Sequence, residues 1–378
     1  MTEANRMRIV DVNPFFYPFR GGIEHRMHDT SRLLAAKGHD VTVLTGRLPD
    51  TAEEEMTADG YRIVRLKSRM LNVYNPPFIS SKDVLETLKG MDADIVNYNY
   101  RWAPSYNRDL RRFDGKKVFT YHNMWGEGIG IQARMSEFND GRFRSCLDTF
   151  DHVIAVSDHV RNDLIRRGYS PGYVTSVPTG LSEYPEIGTG GGDFILSLGR
   201  LVKTKGLSYL IEAMRYVDCK LIICGKGPEE GRLAKQIARL GLEDRIEMKG
   251  WVEEDEKNKL MGSCRFFVMP SLFESLGLAA IELMSHGRPI VHTDVNGLPD
   301  TVRDGGISLP PRDPAALSCA INTLLDDPEY TEELGRNAAR QAQGYRWDGL
   351  IPKIEEVYEK VISGEYSSGD VRRQHDAL

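Results

Sequence analysis

The chain has 378 residues, too many for one hydrophobic core, so two domains of ordinary size are expected. Its 40% apolar and 28% charged residues are those of a globular protein, and no apolar run approaches the roughly 18 residues of a membrane span. The net charge of −6, with no basic stripe interleaved with aromatics, speaks against nucleic acid as a partner. Cys146, Cys219, Cys224, Cys264 and Cys319 include no C-x-x-C pair and mostly sit in apolar runs, where a buried free thiol is the default. A reducing compartment is therefore expected, with neither a structural disulfide nor a zinc site. The start, MTEANRMRIVDVN, lacks the long apolar stretch of a signal peptide. A cytoplasmic protein, soluble or at most peripheral on the membrane, is the expectation.

In chain order, MRIVDV, HDVTVLT, YRIVRL, DIVNYNY, KKVFTYH and HVIAVS read as buried strands of the first half. FILSLG, KLIICG, RIEMKG, CRFFVMP, PIVHTD and GISLP follow in the second. Strands this apolar, separated by crossovers of helical length, predict parallel sheets covered on both faces. That is an α/β fold of two doubly wound, Rossmann-like domains. The boundary is expected in SEYPEIGTGGGD, whose glycines, Pro185 and acids suit a linker and not a core element. This gives a first domain over 1–183, a linker over 184–193 and a second domain over 194–345. A last helix over 346–363, in WDGLIPKIEEVYEKVI, precedes a tail, 364–378, expected to fray. Charge is uneven: 25 basic against 24 acidic residues up to Pro185, and 24 against 31 beyond it. The basic run RDLRRFDGKK, Arg108 to Lys117, reads as a solvated surface or, alternatively, as a weak contact with an anionic membrane.

Gly21-Gly22 follows the first strand and opens a helix. Such a pair lets the backbone pass close to a ligand, and the helix N-terminus offers free N–H groups to an anion, although a structural turn reads the same way. The fingerprint G-x-G-x-x-G is absent there, which removes support for a nicotinamide cofactor. Asp92-Ala93-Asp94 spells D-x-D but precedes a buried strand away from the other motifs, and with no other clustered carboxylates no essential metal is expected. His122, in VFTYHN, is by itself most simply a structural histidine, while His25 and His28 are candidates for an acceptor side. Gly199-Arg200-Leu201 with Lys205-Gly206 ends the second domain's first strand, just before a helix. An Arg that grips two oxygens at once and a Lys that acts as a point charge would there suit a diphosphate. Gly225-Lys226-Gly227-Pro228 ends another parallel strand, where ligands gather in such sheets, and it is not a P-loop. Gly250-Trp251-Val252 ends the next, with Trp251 either packed or at the ligand. Glu274 and Glu282 bracket seven residues in PSLFESLGLAAIELMSHGRPIV. A turn at Gly277 lies between them, followed by an apolar helical pattern, so one carboxylate is expected where a helix starts and the other on its second or third turn, pointing roughly the same way, as the hydroxyls of a ribose or hexose require.

Four stretches then make a pattern. FESLGLAAIELMSHGRPIV, GGIEHRMHDTSRLLAAKGHDVTVLT at Gly21 to Thr45, ILSLGRLVKTKGLSYLIEAM at Ile195 to Met214 and LIICGKGPEEGRL at Leu221 to Leu233 resemble family 4 of the retaining glycosyltransferases, the glycosyl transferases group 1 of GT-B architecture. The likeness runs from about Met7 to about Ile362. It implies two Rossmann-like domains facing a central cleft, the second binding a nucleoside-diphosphate sugar (UDP or GDP) and the first a lipid-linked or glycan acceptor. The last helix would cross back to the first domain. By the same resemblance Arg200, Lys205, Glu274 and His122 are the catalytic set. Arg200 and Lys205 would stabilise the departing diphosphate, Glu274 would hold the transferred sugar, and His122 would polarise its hydroxyls. Glu282 would accept from the ribose. Gly21, Gly22, Gly199, Gly225, Gly227, Val252, Leu276 and Gly277 would line the donor site through their main chain. No cofactor and no metal are implied, since the Arg–Lys pair would do the work of a divalent cation.

Two departures from the family pattern leave the donor sugar open. Val177-Pro178-Thr179-Gly180 stands where an Asn often precedes the glycine, and Asn296-Gly297-Leu298-Pro299-Asp300 where Gly-Gly and then Pro-Glu are common. Two rivals share parts of the pattern. A nucleotide-sugar 2-epimerase should lack the paired glutamates and carry more acid/base groups at the sugar. A non-catalytic sugar-nucleotide-binding partner should have lost Arg200, Lys205 or Glu274, and all three are present.

Overall fold

A computed structural model of the chain describes residues 6–71, 78–185 and 192–370. The chain divides into two compact units, Met1–Gly180 with Asp348–Leu378, and Leu181–Trp347. The division falls between Gly180 and Leu181, a few residues ahead of the 183/184 boundary drawn from the sequence, and Tyr184 packs within the second unit, its hydroxyl donating to the Ala342 carbonyl at 3.0 Å. Most of the expected linker (186–191) and the tail beyond 370 lie outside the described residues.

The first unit is an eight-stranded sheet in the order β10-β9-β8-β7-β1-β2-β4-β3, beside a two-stranded ribbon of β5 and β6. The strands are β1 (Arg8–Val12), β2 (Asp40–Gly46), β3 (Glu54–Met56), β4 (Arg62–Leu66), β5 (Ser68–Leu71), β6 (Phe78–Ser81), β7 (Ile95–Tyr98), β8 (Lys117–Tyr121), β9 (His152–Ala155) and β10 (Val174–Ser176). All sheet pairs are parallel except β3 with β4. Helices α1 (Gly22–Ala36), α2 (Val84–Gly90), α3 (Pro104–Arg112), α4 (Ile131–Leu147) and α5 (Asp158–Arg166) connect them.

The second unit holds six parallel strands in the order β13-β12-β11-β14-β15-β16. They are β11 (Phe194–Leu198), β12 (Lys220–Cys224), β13 (Ile246–Gly250), β14 (Phe267–Met269), β15 (Ile290–Thr293) and β16 (Gly306–Leu309). Between and after them run α6 (Leu207–Ala213), α7 (Glu230–Leu240), α8 (Glu254–Ser263), α9 (Leu278–Ser285), α10 (Leu298–Val302), α11 (Pro314–Asp326), α12 (Pro328–Ala342) and α13 (Trp347–Ser363). From Asp348 onward α13 groups with the first unit, where its Glu355 accepts from His39 Nε2 at 3.0 Å and pairs with Lys37.

The apolar runs have a direct cause. Successive strand residues face opposite sides, and in a doubly wound sheet both sides are covered, so both alternating sets must be apolar. In the second unit Ile195, Leu221, Ile223, Val268 and Val291 pack with α6, α7 and α11, while Leu196, Ile222, Phe267 and Ile290 pack with α8, α9 and α12. Each such buried side chain contributes about 1.5–3 kcal/mol before entropy is counted. Asp313 and Asp327 accept backbone N–H groups at 2.9–3.0 Å ahead of Pro314 and Pro328, which starts α11 and α12 sharply.

Strand order reverses once in each sheet, between β1 and β7 in the first and between β11 and β14 in the second. At such a switch the loops leaving two adjacent strands diverge and open a crevice at their carboxyl ends.

Candidate active site

At the switch of the second unit lies an open depression of about 250 Å³, lined by Ser197–Arg200, Lys205, Leu207, Ile223, Cys224 and Met269–Ser271. Gly206 makes its floor possible. This glycine sits at φ +65°, and a Cβ there would fall 1.9 Å from the Pro270 carbonyl oxygen. The turn Lys203–Lys205 therefore lies flat against the chain leaving β14, and the Leu272 N–H donates to the Thr204 carbonyl at 2.7 Å. That contact delivers Lys205 to Glu274, and their side chains form an ion pair. Arg200 is exposed, and its guanidinium takes no partner among the described residues.

Glu274 itself is held by the loop after β15. Its N–H donates to Asn296 Oδ1 at 3.4 Å, its carbonyl accepts from Gly297 N–H at 3.1 Å, and Thr301 Oγ1 donates to the Leu276 carbonyl at 2.6 Å. Here the sequence reading needs correction. Glu274 is not at a helix start: it lies in the loop, four residues ahead of Leu278, the first residue of α9, with Gly277 turning the chain at φ +83°. Only Glu282 is helical, in the second turn, so Glu274 owes its placement to the segment Asn296–Thr301, which runs into α10, and not to helical period. Glu282 Oε2 lies 3.5 Å from Lys257 Nζ of α8, which also meets Glu254 at 2.6 Å. Lys257 was not singled out from the sequence, since its run EEDEK reads as a solvated helix face.

The glycine turns bring two loops together. A Cβ on Gly225 would fall 1.9 Å from the Gly199 carbonyl oxygen, and one on Gly227 2.3 Å from that of Leu201. These residues let the loops leaving β11 and β12 interlock, with Leu201 N–H donating to the Lys226 carbonyl at 2.9 Å. Gly199, at the same contact, lines the depression. Val252 joins the apolar packing under β12, Leu276 is buried, and Trp251 is 59% exposed, donating through Nε1 to Glu253 at 3.1 Å. The N–H groups of Leu276 and Gly277 take no partner among the described residues.

At the switch of the first unit a second depression, of about 240 Å³, is lined by Ile23, Asn99–Trp102, Phe119, His122 and Asn123. His122 follows β8, and its Nε2 bonds Asn99 Oδ1 at 2.9 Å. Asn99 Nδ2 donates to Asp11 Oδ1 at 2.5 Å, and Asn97 Nδ2 donates to the same oxygen at 2.9 Å. Burial pushes the Asp11 carboxyl up to about 7 against the amide bonds of Asn99 and Asn97 and the charge of Arg26. Burial, then the charges of Arg26 and Arg101, push His122 well below its usual range, so the imidazole is neutral at pH 7. Asp140 anchors the neighbouring loop, accepting from Arg101 Nε at 2.5 Å, Trp102 Nε1 at 2.9 Å and Gly126 N–H at 2.8 Å.

Gly21 is the N-cap of α1 in an extended conformation, with Gly22 open to space. A Cβ on Gly21 would stand 2.5 Å from Glu24 Oε2. The buried Glu24 accepts from Asn13 Nδ2 at 2.9 Å, and burial pushes its carboxyl up to about 7. The first turn of α1 thus already carries an acid of its own. His28 bonds the Tyr61 hydroxyl at 2.8 Å, and His25 lies 3.5 Å from Asp29. The D-x-D carboxylates Asp92 and Asp94 both pair with Arg8. Asp11, Asn99 and Glu24 were missed as site residues. The signal was there: a lone acid inside the apolar run MRIVDV, and Asn97 and Asn99 two apart on one face of DIVNYNY.

Comparison with known proteins bears on the family and the fold. Residues 20–183 match the model of Glycosyltransferase Family 4, and residues 187–341 that of Glycosyl transferases group 1. The chain belongs to these glycosyltransferases and has their GT-B fold. It is 28% identical over 379 residues to the phosphatidyl-myo-inositol mannosyltransferase of Mycobacterium leprae, covering 94% of this chain and 98% of that one. It is 25% identical over 380 residues to a phosphatidylinositol N-acetylglucosaminyltransferase chain of Arabidopsis thaliana, covering 96% and 84%. Among solved structures, the sucrose-phosphate synthase of Thermosynechococcus elongatus superposes with a TM-score of 0.82 at 23% identity, over 95% of this chain and all of the other.

Proposed function

We propose that the protein is a retaining hexosyltransferase that moves a sugar from a nucleoside-diphosphate donor, UDP- or GDP-linked, to a hydroxyl of a lipid-linked or glycan acceptor without a metal ion. The observation that carries this reading is the Lys205–Glu274 pair beside Arg200, which has no partner among the described residues, at the strand switch of the second unit. Lys205 has three N–H donors and can serve Glu274 and a phosphate oxygen together, while Arg200 can grip two oxygens. Charge growing on the leaving diphosphate then meets two cations, with the free N–H groups of Leu276 and Gly277 nearby in sequence. Glu274, its carboxylate already paired with Lys205 and its backbone N–H held by Asn296, accepts from sugar hydroxyls, and Glu282 accepts from the ribose. In the transfer the anomeric C–O bond to phosphate breaks, the bond to the acceptor oxygen forms on the same face, and the acceptor's proton passes to the departing phosphate oxygen. No protein base is needed for that step.

The membrane side of the proposal has its own support. No helix among the described residues is long and apolar enough to cross a membrane. On α4, however, Ile131, Met135 and Phe138 are 77%, 62% and 66% exposed at i, i+4 and i+7. Exposed Arg134 and Arg142 share that third of the helix circumference, Arg142 lying 5.9 Å from the Phe138 ring, while Glu137 falls outside it. The packed neighbour α3 carries exposed Arg108, Arg111 and Arg112 of the basic run. An apolar stripe between arginines suits the headgroup region of an anionic bilayer at the inner face of a membrane. The test of the transferase reading is donor turnover by the wild-type protein and by Arg200→Ala.

A further inference from the structure

The carboxyl ends of β1, β7 and β8 bring five polar side chains into one line: Asp11, Asn97, Asn99, Thr120 and, just past β8, His122. Parallel register sets Asp11 directly opposite Asn97. Asp11, Asn97, Asn99 and Thr120 are all at least 95% buried, where an unmatched donor or acceptor costs about 1–3 kcal/mol. Each orientation in the line therefore follows from the one before.

Asp11 Oδ1 can only accept, and it receives both amide Nδ2 groups, from Asn97 and Asn99. Oδ2 is left for a proton, so the two amide bonds survive in either protonation state of Asp11. The Asn97 carbonyl oxygen accepts from Thr120 Oγ1 at 2.8 Å, which locks that amide from its other side. With Nδ2 committed to Asp11, Asn99 presents Oδ1 to His122 and demands a donor there. The turned amide would set oxygen against carboxylate and N–H against N–H.

We propose that Asp11 and Asn99 are positioning residues that hold His122 as the Nε2–H tautomer, so that Nδ1 offers a fixed lone pair to a hydroxyl donor on the ligand. No described residue hydrogen-bonds Nδ1, and the side chain lines the depression. A group that donates, such as a sugar hydroxyl, fits this acceptor, whereas a carboxylate or phosphate oxygen at the same place would meet lone pair with lone pair. The role of His122 in transfer rests on the function proposed above. Its tautomer does not.

The test is a nitrogen-15 spectrum of the imidazoles of the full chain at neutral pH, with His122 assigned by its loss in His122→Gln. The expected result is a pyrrole-type Nε2 and a pyridine-type Nδ1 in the wild type. Asp11→Asn, which frees the Asn99 amide to turn, should give a mixture of tautomers, and Asn99→Ser should do the same if Asp11→Asn fails to fold. Asn97→Ala, which removes the other amide on the same carboxylate, should leave the tautomer as it is. An Nδ1–H tautomer or an imidazolium in the wild type overturns the relay, as does an unchanged spectrum in Asn99→Ser. In transfer assays, Asp11→Asn should lower kcat roughly tenfold to a hundredfold, the scale for losing an orienting partner, with the donor KM held. If the spectrum is as expected but no donor is turned over, the transferase reading fails and the relay stands.

Discussion

Arg200 and Lys205 differ in what surrounds them, and the difference decides which mutation is informative. Lys205 is tied to Glu274, so replacing it also strands a partly buried carboxylate and mixes lost binding with lost structure. Arg200 is exposed and unpartnered among the described residues, so Arg200→Ala removes a charge and little else. Turnover should fall by roughly two to three orders of magnitude, the scale for one preorganised electrostatic group, with the unfolding midpoint unchanged. A variant as fast as the wild type removes Arg200 from the chemistry. Both cations were legible in the sequence as G-R-L and K-G after an apolar strand. Their arrangement was not, because Lys205 meets Glu274 across 69 residues through a glycine contact that no local pattern encodes.

Elements were legible in proportion to how fully they are buried. All twelve strands read from apolar runs are present, most of them covered on both faces, while the edge strands β13 and β16 are only partly buried. The four missed strands have no such burden: β3 is exposed along its length, β5 alternates, β6 ends in two serines, and β10 is short and only partly buried. The Gly277 turn was legible ahead of α9, but not that Glu274 lies four residues outside the helix, held by Asn296 and Gly297 from a distant segment. At α4 the same logic runs outward. Its stripe of Ile131, Met135 and Phe138 stays largely exposed among the described residues, so it should act on something outside. The protein should sediment with phosphatidylcholine vesicles containing phosphatidylglycerol and less with phosphatidylcholine alone. Arg134→Gln with Arg142→Gln should weaken that binding about tenfold or more, at about 1 kcal/mol per surface arginine. Equal sedimentation of Phe138→Asp and the wild type would remove α4 from the contact.

The two units should answer differently to pH. In the first, Asp11 and Glu24 are raised to about 7 by burial, so the folded unit keeps protons that the unfolded chain sheds above about pH 4. That contribution is present at low pH and is lost as pH rises through 7, together about 1–2 kcal/mol between pH 6.5 and 8. His122 and His152, lowered by burial, and in the second unit His286 and His292, also lowered by burial, act in the opposite sense. The unfolded chain takes up their protons below about 6.5 and the folded one does not, so stability falls as pH drops. Hydrogen exchange in urea should therefore show the first unit weakening from pH 6.5 to 8, its two histidines offsetting part of the loss, and the second gaining slightly, and equal weakening of both would contradict it. Whole-chain likeness to glycosyltransferases makes transfer the central claim, and one measurement addresses it most directly. The protein is incubated, with chelator present, with UDP- and GDP-hexoses and with phosphatidylinositol vesicles or glycan acceptors, and the anomeric proton is followed by NMR. The expected result is release of nucleotide from one donor with a new glycoside of unchanged anomeric configuration. An inverted product, an epimer without nucleotide release, or no turnover of any donor with any acceptor would contradict it.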